Sequence, residues 1–110
     1  MPGFVRACSV NEVPPGTAKR VTVASKEVAV FNHDGRFYAV QDICPHEGAP
    51  LSSGFLEGEN VICPWHGATF NLPTGKTLEP PAGEPMGPPV DKGLICYAVR
   101  VVGPEVEIEI

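Results

Sequence analysis

Two short stretches decide how this sequence reads: Cys44-Pro45-His46-Glu47-Gly48-Ala49 and Cys63-Pro64-Trp65-His66-Gly67-Ala68. Each supplies one cysteine, a proline directly after it, a histidine, and a glycine soon after that histidine. Thiolate and imidazole are the usual protein ligands of intermediate and soft metals. Two of each make four, enough to close a tetrahedral zinc site or to hold a two-iron cluster, and the count alone does not separate them.

Ligand order says more. Common zinc modules put Cys with Cys in one loop and His with His in another. Here each loop mixes the two, which suits a [2Fe–2S] core with two Cys on one iron and two His on the other. On these residues alone zinc stays open.

The rest of the chain frames the boxes as loops of a β protein. Its 110 residues, with 43% hydrophobic and 19% charged, fit one globular domain over 1–110 with a modest core. Alternation and β-branched content predict strands at Phe4–Val10, Ala18–Ala24, Glu27–Asn32, Arg36–Gln41, Asn60–Cys63, Ala68–Leu72, Leu94–Val102 and Glu105–Ile110. Asn32-His33-Asp34-Gly35 is a turn between the third and fourth, and Gly103-Pro104 joins the last two. In the final strand Val106, Ile108 and Ile110 face one way and Glu105, Glu107 and Glu109 the other, one packed and one wet side. No helical period stands out, so the expected class is all-β. Residues 79–93 hold five Pro and three Gly and form a surface connection rather than a central strand.

Charge and hydropathy exclude several functions. The net charge of −5 argues against nucleic acid and anionic membranes. The longest apolar run, Leu94 to Val99, falls far short of the ~20 residues a membrane span needs. No export signal is visible, so a cytoplasmic chain with thiols rather than disulfides is expected. Residues 43–85 carry Glu47, Glu57, Glu59, Glu79 and Glu84 against Lys76 alone, whereas residues 1–42 come out at +1. The acidity lies in the segment that holds the boxes, as a solvated surface or as an acidic docking face.

With both boxes in view, the sequence resembles the Rieske [2Fe–2S] proteins: C-x-H, sixteen residues, then C-x-x-H, with a Gly after each box. The similarity spans almost the whole chain. It implies a small antiparallel β sandwich with a cluster-binding subdomain at about 43–85 and the two boxes as its loops. It also implies one [2Fe–2S] cluster, with Cys44 and Cys63 on one iron and His46 and His66 on the other, and with the His edges as the electron exit. Respiratory and photosynthetic members carry one further Cys per box, forming a cross-loop disulfide, and a Ser whose hydroxyl donates to a bridging sulfide. The matching positions are Ala49, Trp65 and Ala68. The chain is therefore most similar to the soluble ferredoxins of bacterial Rieske oxygenase systems. It is expected to be an electron carrier rather than an enzyme, a monomer between a flavin-dependent ferredoxin reductase and a terminal ring-hydroxylating dioxygenase. An accessory subunit, as in nitrite reductase, or the ferredoxin of a diiron monooxygenase is the alternative; a zinc-stabilised interaction module belongs to a different class.

Other residues have plainer readings. Gly48 and Gly67 either turn the loops or point N–H groups at the sulfides. Pro45 and Pro64 stiffen the loops, and Trp65 either packs, shields the site or faces a partner. Cys8 and Cys96 are expected as buried thiols, and His33 as a turn residue. Pro80–Pro85 match a third loop over the cluster, and Gly87–Gly93 have no assigned purpose.

Overall fold

The computed structural model describes residues 3–45, 48–65, 67–80, 83 and 93–110. Eleven strands lie among them: β1 (Phe4–Ser9), β2 (Ala18–Val23), β3 (Lys26–His33), β4 (Arg36–Gln41), β5 (Phe55–Glu57), β6 (Asn60–Ile62), β7 (Thr69–Asn71), β8 (Thr77–Glu79), β9 (Cys96–Tyr97), β10 (Val99–Val102) and β11 (Glu105–Glu109). Single 3-10 turns cover Val10–Glu12 and Leu51–Ser53, and the described residues contain no α-helix. All strand pairs are antiparallel, in three sheets ordered β1-β11-β10, β2-β3-β4-β9 and β5-β6-β7-β8.

The β2-β3-β4-β9 sheet is the middle layer. Cys8, Val21, Val28, Val30, Ala39, Val106 and Ile108 pack together between it and the β1-β11-β10 sheet. On its other face Ala29, Phe31 and Val40 join Leu51, Val61, Phe70 and Leu72. β3 is thus buried on both sides, which is why Val28-Ala29-Val30-Phe31 is an unbroken apolar run. β11 covers one face only and alternates as expected, with Val106 and Ile108 fully buried and Glu109 exposed. Each fully buried Phe or Leu contributes roughly 1.5–3 kcal/mol relative to exposure, and the larger ones, Phe31, Phe70, Leu51 and Leu72, all lie in the core beneath the two boxes.

The turn after β3 is tighter than the four residues expected. His33 already pairs with Arg36, and Asp34-Gly35 alone make the loop, at φ 53° and 92°. Leu94–Val102 is not one strand. Cys96–Tyr97 pairs with β4 and Val99–Val102 with β11, so the chain changes sheets at Ala98, whose carbonyl accepts the Glu109 N–H at 2.9 Å. A switch between sheets lets one run of sequence serve two layers. β5 and β8, three residues each, carry too little alternation to stand out in the sequence.

Candidate metal centre

The two boxes fold alike. Cys44 N–H donates to the Ala49 carbonyl at 2.9 Å and Gly48 N–H to the Cys44 carbonyl at 2.9 Å. In the second box Cys63 N–H donates to Ala68 at 2.8 Å and Gly67 N–H to Cys63 at 3.3 Å. Gly48 and Gly67 stand at φ 76° and 75°, and around each a methyl group would meet nothing within 4 Å. Glycine is needed there for the backbone turn and not for space. The N–H groups of these glycines close the loops on the cysteine carbonyls, which supports the reading of both as turn glycines.

Each loop is shut at its base by a flanking pair, Ile43 with Pro50 and Ile62 with Thr69. The bases differ in kind. The second continues into the β6–β7 ladder, whereas Ile43–Pro50 is an isolated bridge. Among the described residues, the same pair of backbone hydrogen bonds thus closes 44–49 and 63–68.

Cys44 and Cys63 are 1% and 2% exposed and join one buried cluster with Ala49, Leu51, Ala68 and Leu72. His46 and His66 lie outside the described residues, as do Glu47, Glu84 and most of 79–93. Two soft thiols set in matched loops, each with a histidine within three residues, are a donor set that fits a two-iron cluster. Trp65, one of the residues between Cys63 and His66, is 57% exposed, so it does not pack into the core. Ile43, beside Cys44, is 40% exposed.

Several residues that the motif does not mark support the loops. Gln41 Nε2 donates to the Ile43 carbonyl at 2.7 Å while its Oε1 accepts the Ile95 N–H at 2.8 Å, tying β9's approach to the first box. Gly54 lies against the Ile62 carbonyl, one residue before Cys63: a methyl group there would collide with that oxygen. Asp42 is fully buried and accepts the Ser52 N–H at 2.8 Å. Only its place two residues before Cys44 could have drawn attention to it.

Of the acidic residues around the boxes, Glu57 and Glu79 are exposed, while Glu59 accepts the Tyr38 hydroxyl at 2.6 Å and stands 3.9 Å from Arg36. Cys8 is buried as expected, and burial raises its thiol pKa. Cys96 corrects its expectation, because the residue is exposed. Its Sγ nevertheless rests 3.6 Å from the Leu72 carbonyl, and partial burial raises its pKa also. His33 ends β3, where it pairs with Arg36 across the turn.

A family model described as the Rieske [2Fe–2S] domain matches residues 3–98. The biphenyl dioxygenase ferredoxin subunit of Pseudomonas sp. (strain KKS102) is 42% identical over 107 residues, covering 96% of this chain and 91% of that protein. The 3-phenylpropionate/cinnamic acid dioxygenase ferredoxin subunit of Escherichia coli (strain K12) is 40% identical, with coverage of 96% and 92%. Among solved structures, a chain in the complex of reduced oxygenase and oxidised ferredoxin of carbazole 1,9a-dioxygenase superposes with a TM-score of 0.79 at 33% identity, covering 96% of this chain and 92% of the other.

Proposed function

The chain belongs to the Rieske [2Fe–2S] domain family, and we propose that it works as the ferredoxin component of a ring-hydroxylating dioxygenase, taking an electron from a flavin-dependent reductase and delivering it to the terminal oxygenase. One observation carries this reading: the similarity to dioxygenase ferredoxin subunits runs along nearly the whole of both chains. The match is to an entire carrier subunit.

The ligand assignment belongs to the same proposal. Cys44 and Cys63 hold one iron and His46 and His66 the other, with one cluster per chain. When bound, such a cluster takes up and returns a single electron. The chain's own residues do the rest. The twin hydrogen bonds at Cys44–Ala49 and Cys63–Ala68 hold each loop in one shape, and the buried setting keeps water from the cysteines. Exposed Ile43, next to Cys44, and Trp65, two residues after Cys63, offer apolar contact to a partner, and Glu57 and Glu79 are exposed acids of the same segment. A cytoplasmic monomer is the form this role needs. Among the described residues no helix is long and apolar enough to cross a membrane.

Paramagnetic resonance tests the ligands: His46→Ala or His66→Ala should abolish the Rieske-type signal of the reduced protein, whereas Cys8→Ser and Cys96→Ser should keep it. A signal that survives His46→Ala but not Cys8→Ser would refute the assignment. Reconstitution tests the role. Product formation by a biphenyl-type reductase and oxygenase pair should depend on added ferredoxin, and a reduced chain that no dioxygenase can oxidise would overturn the proposal.

A further inference from the structure

The two loops are alike, yet their bases are not, and the difference falls on Asp42. The base of the second loop is a three-rung ladder, Ile62 with Thr69, Val61 with Phe70 and Asn60 with Asn71. The first loop has the bridge Ile43–Pro50 and one further ladder-like bond, from Leu51 N–H to the Asp42 carbonyl at 2.6 Å. Gln41 and Ser52 would face each other next, in a position where an antiparallel pair exchanges no backbone hydrogen bonds. Gln41 is in any case committed to the middle sheet, where it pairs with Val28 and donates to the Ile95 carbonyl at 3.0 Å. The Asp42 carboxylate takes up the Ser52 N–H instead: its Oδ1 accepts it at 2.8 Å. Meanwhile the Asp42 N–H donates to the Glu27 carbonyl at 3.0 Å, fastening the residue to the middle sheet.

A fully buried carboxylate is costly unless it is paired and hydrogen-bonded. Asp42 Oδ2 has no hydrogen bond among the described residues and lies 3.3 Å from Arg20 Nε, whose side chain is 51% exposed and is bonded to Glu27 at 2.7 Å. Arg20 therefore neutralises the charge from outside, while Oδ1 completes the base of the loop from inside.

We propose that Asp42 is a positioning residue for the first ligand loop: its carboxylate takes up the Ser52 N–H that the short ladder leaves over and holds the segment that begins at Cys44 to the segment that returns at Leu51 and Ser52. This rests on the reading of the boxes as cluster loops. The role belongs to the acceptor oxygen more than to the charge, since Arg20 can turn to water if the charge is removed.

The test compares wild type, Asp42→Ala, Asp42→Asn and Val30→Ala as cluster-loaded proteins, by hydrogen–deuterium exchange of residues 42–54 and by loss of visible absorbance in excess chelator. Val30→Ala opens a cavity in the core on the other face of the middle sheet, away from the boxes. Asp42→Ala should speed both exchange of the loop and cluster loss by about tenfold, the worth of one buried hydrogen bond, while the β2–β3 hairpin keeps its protection. Asp42→Asn, which retains an acceptor oxygen, should stay within about twofold of wild type on both readouts. Val30→Ala should lower the melting temperature without singling out the loop. The proposal falls if Asp42→Ala behaves as wild type, if Asp42→Asn folds but fails as Ala does, or if Val30→Ala opens the loop equally. Should Asp42→Ala not fold, the Asn variant decides alone. A wild-type chain that takes up no cluster refutes the earlier reading, and exchange of residues 42–54 in the same chain still judges the staple.

Discussion

At position 68 the second box carries a buried methyl group, 1% exposed, where a hydroxyl could donate a hydrogen bond into the site. The nearest hydroxyl in sequence, Thr69 Oγ1, is turned to the Gly67 carbonyl at 3.3 Å. A donor stabilises the extra negative charge of a reduced centre and raises its potential. Without one, the midpoint should lie near the low end of the Rieske range, roughly −150 mV. Ala68→Ser should then raise it by about 60 mV, the one-electron equivalent of a hydrogen bond worth ~1.4 kcal/mol in the reduced state alone. Protein-film voltammetry of the pair checks this; a midpoint already above about +100 mV, or one that falls in the Ser variant, would contradict it. The candidate ligands were legible at this scale because a motif names residue types. Asp42 was not, because its importance comes from the partners Ser52, Leu51 and Arg20, none adjacent in the chain.

Among elements, the middle sheet and the 3-10 turn at Leu51–Ser53 position the two loops relative to each other. That turn ends at Gly54, whose φ of −80° suits any residue. Steric room is the constraint instead. A methyl group would collide with the Ile62 carbonyl oxygen and stand 3.0 Å from that of Leu51, both backbone atoms that cannot swing aside. Gly54→Ala should therefore destabilise the fold by about 1–3 kcal/mol, the usual cost of overpacking, and displace Ile62 next to Cys63. Denaturant titration gives the first effect and cluster content of the purified variant the second. A variant as stable and as fully loaded as wild type would mean that the two segments are not in contact. Gly48→Ala tests a different cause, since space is open there and only the positive φ resists a side chain.

Over the whole molecule, charge is unevenly spread. The segment 43–85 carries five Glu and one Lys, of a total net charge of −5. Glu59 is partly offset by Arg36, so Glu57 and Glu79, against Lys76, are the segment's described charges left to act at long range. If the acidic segment 43–85 is the docking face, it would steer the carrier toward a basic patch on its partner. Electron transfer to the oxygenase should slow as salt rises, because exposed charges are screened beyond ~10 Å at 0.1 M. Stopped-flow rates from low salt to several tenths molar would measure this, and a rate indifferent to ionic strength would remove electrostatic docking from the account.

By itself the sequence determined the all-β class of the fold and the places of the long strands, and it named the candidate site. These depend on local chemistry and short periods: two Cys and two His at fixed spacing, alternation in Glu105–Glu109, and the turn residues Asn32–Gly35 between two strand-like runs. Only the tertiary structure decided that Val28–Phe31 is buried on both faces, that the chain changes sheets at Ala98, and that two similar boxes become twin loops on unequal bases. The physical reason is common to all three. Burial, sheet membership and the need for a side-chain staple depend on which backbone groups find partners across the fold, and Ser52 shows it: its N–H lies beyond the short ladder and is taken up by the Asp42 carboxylate.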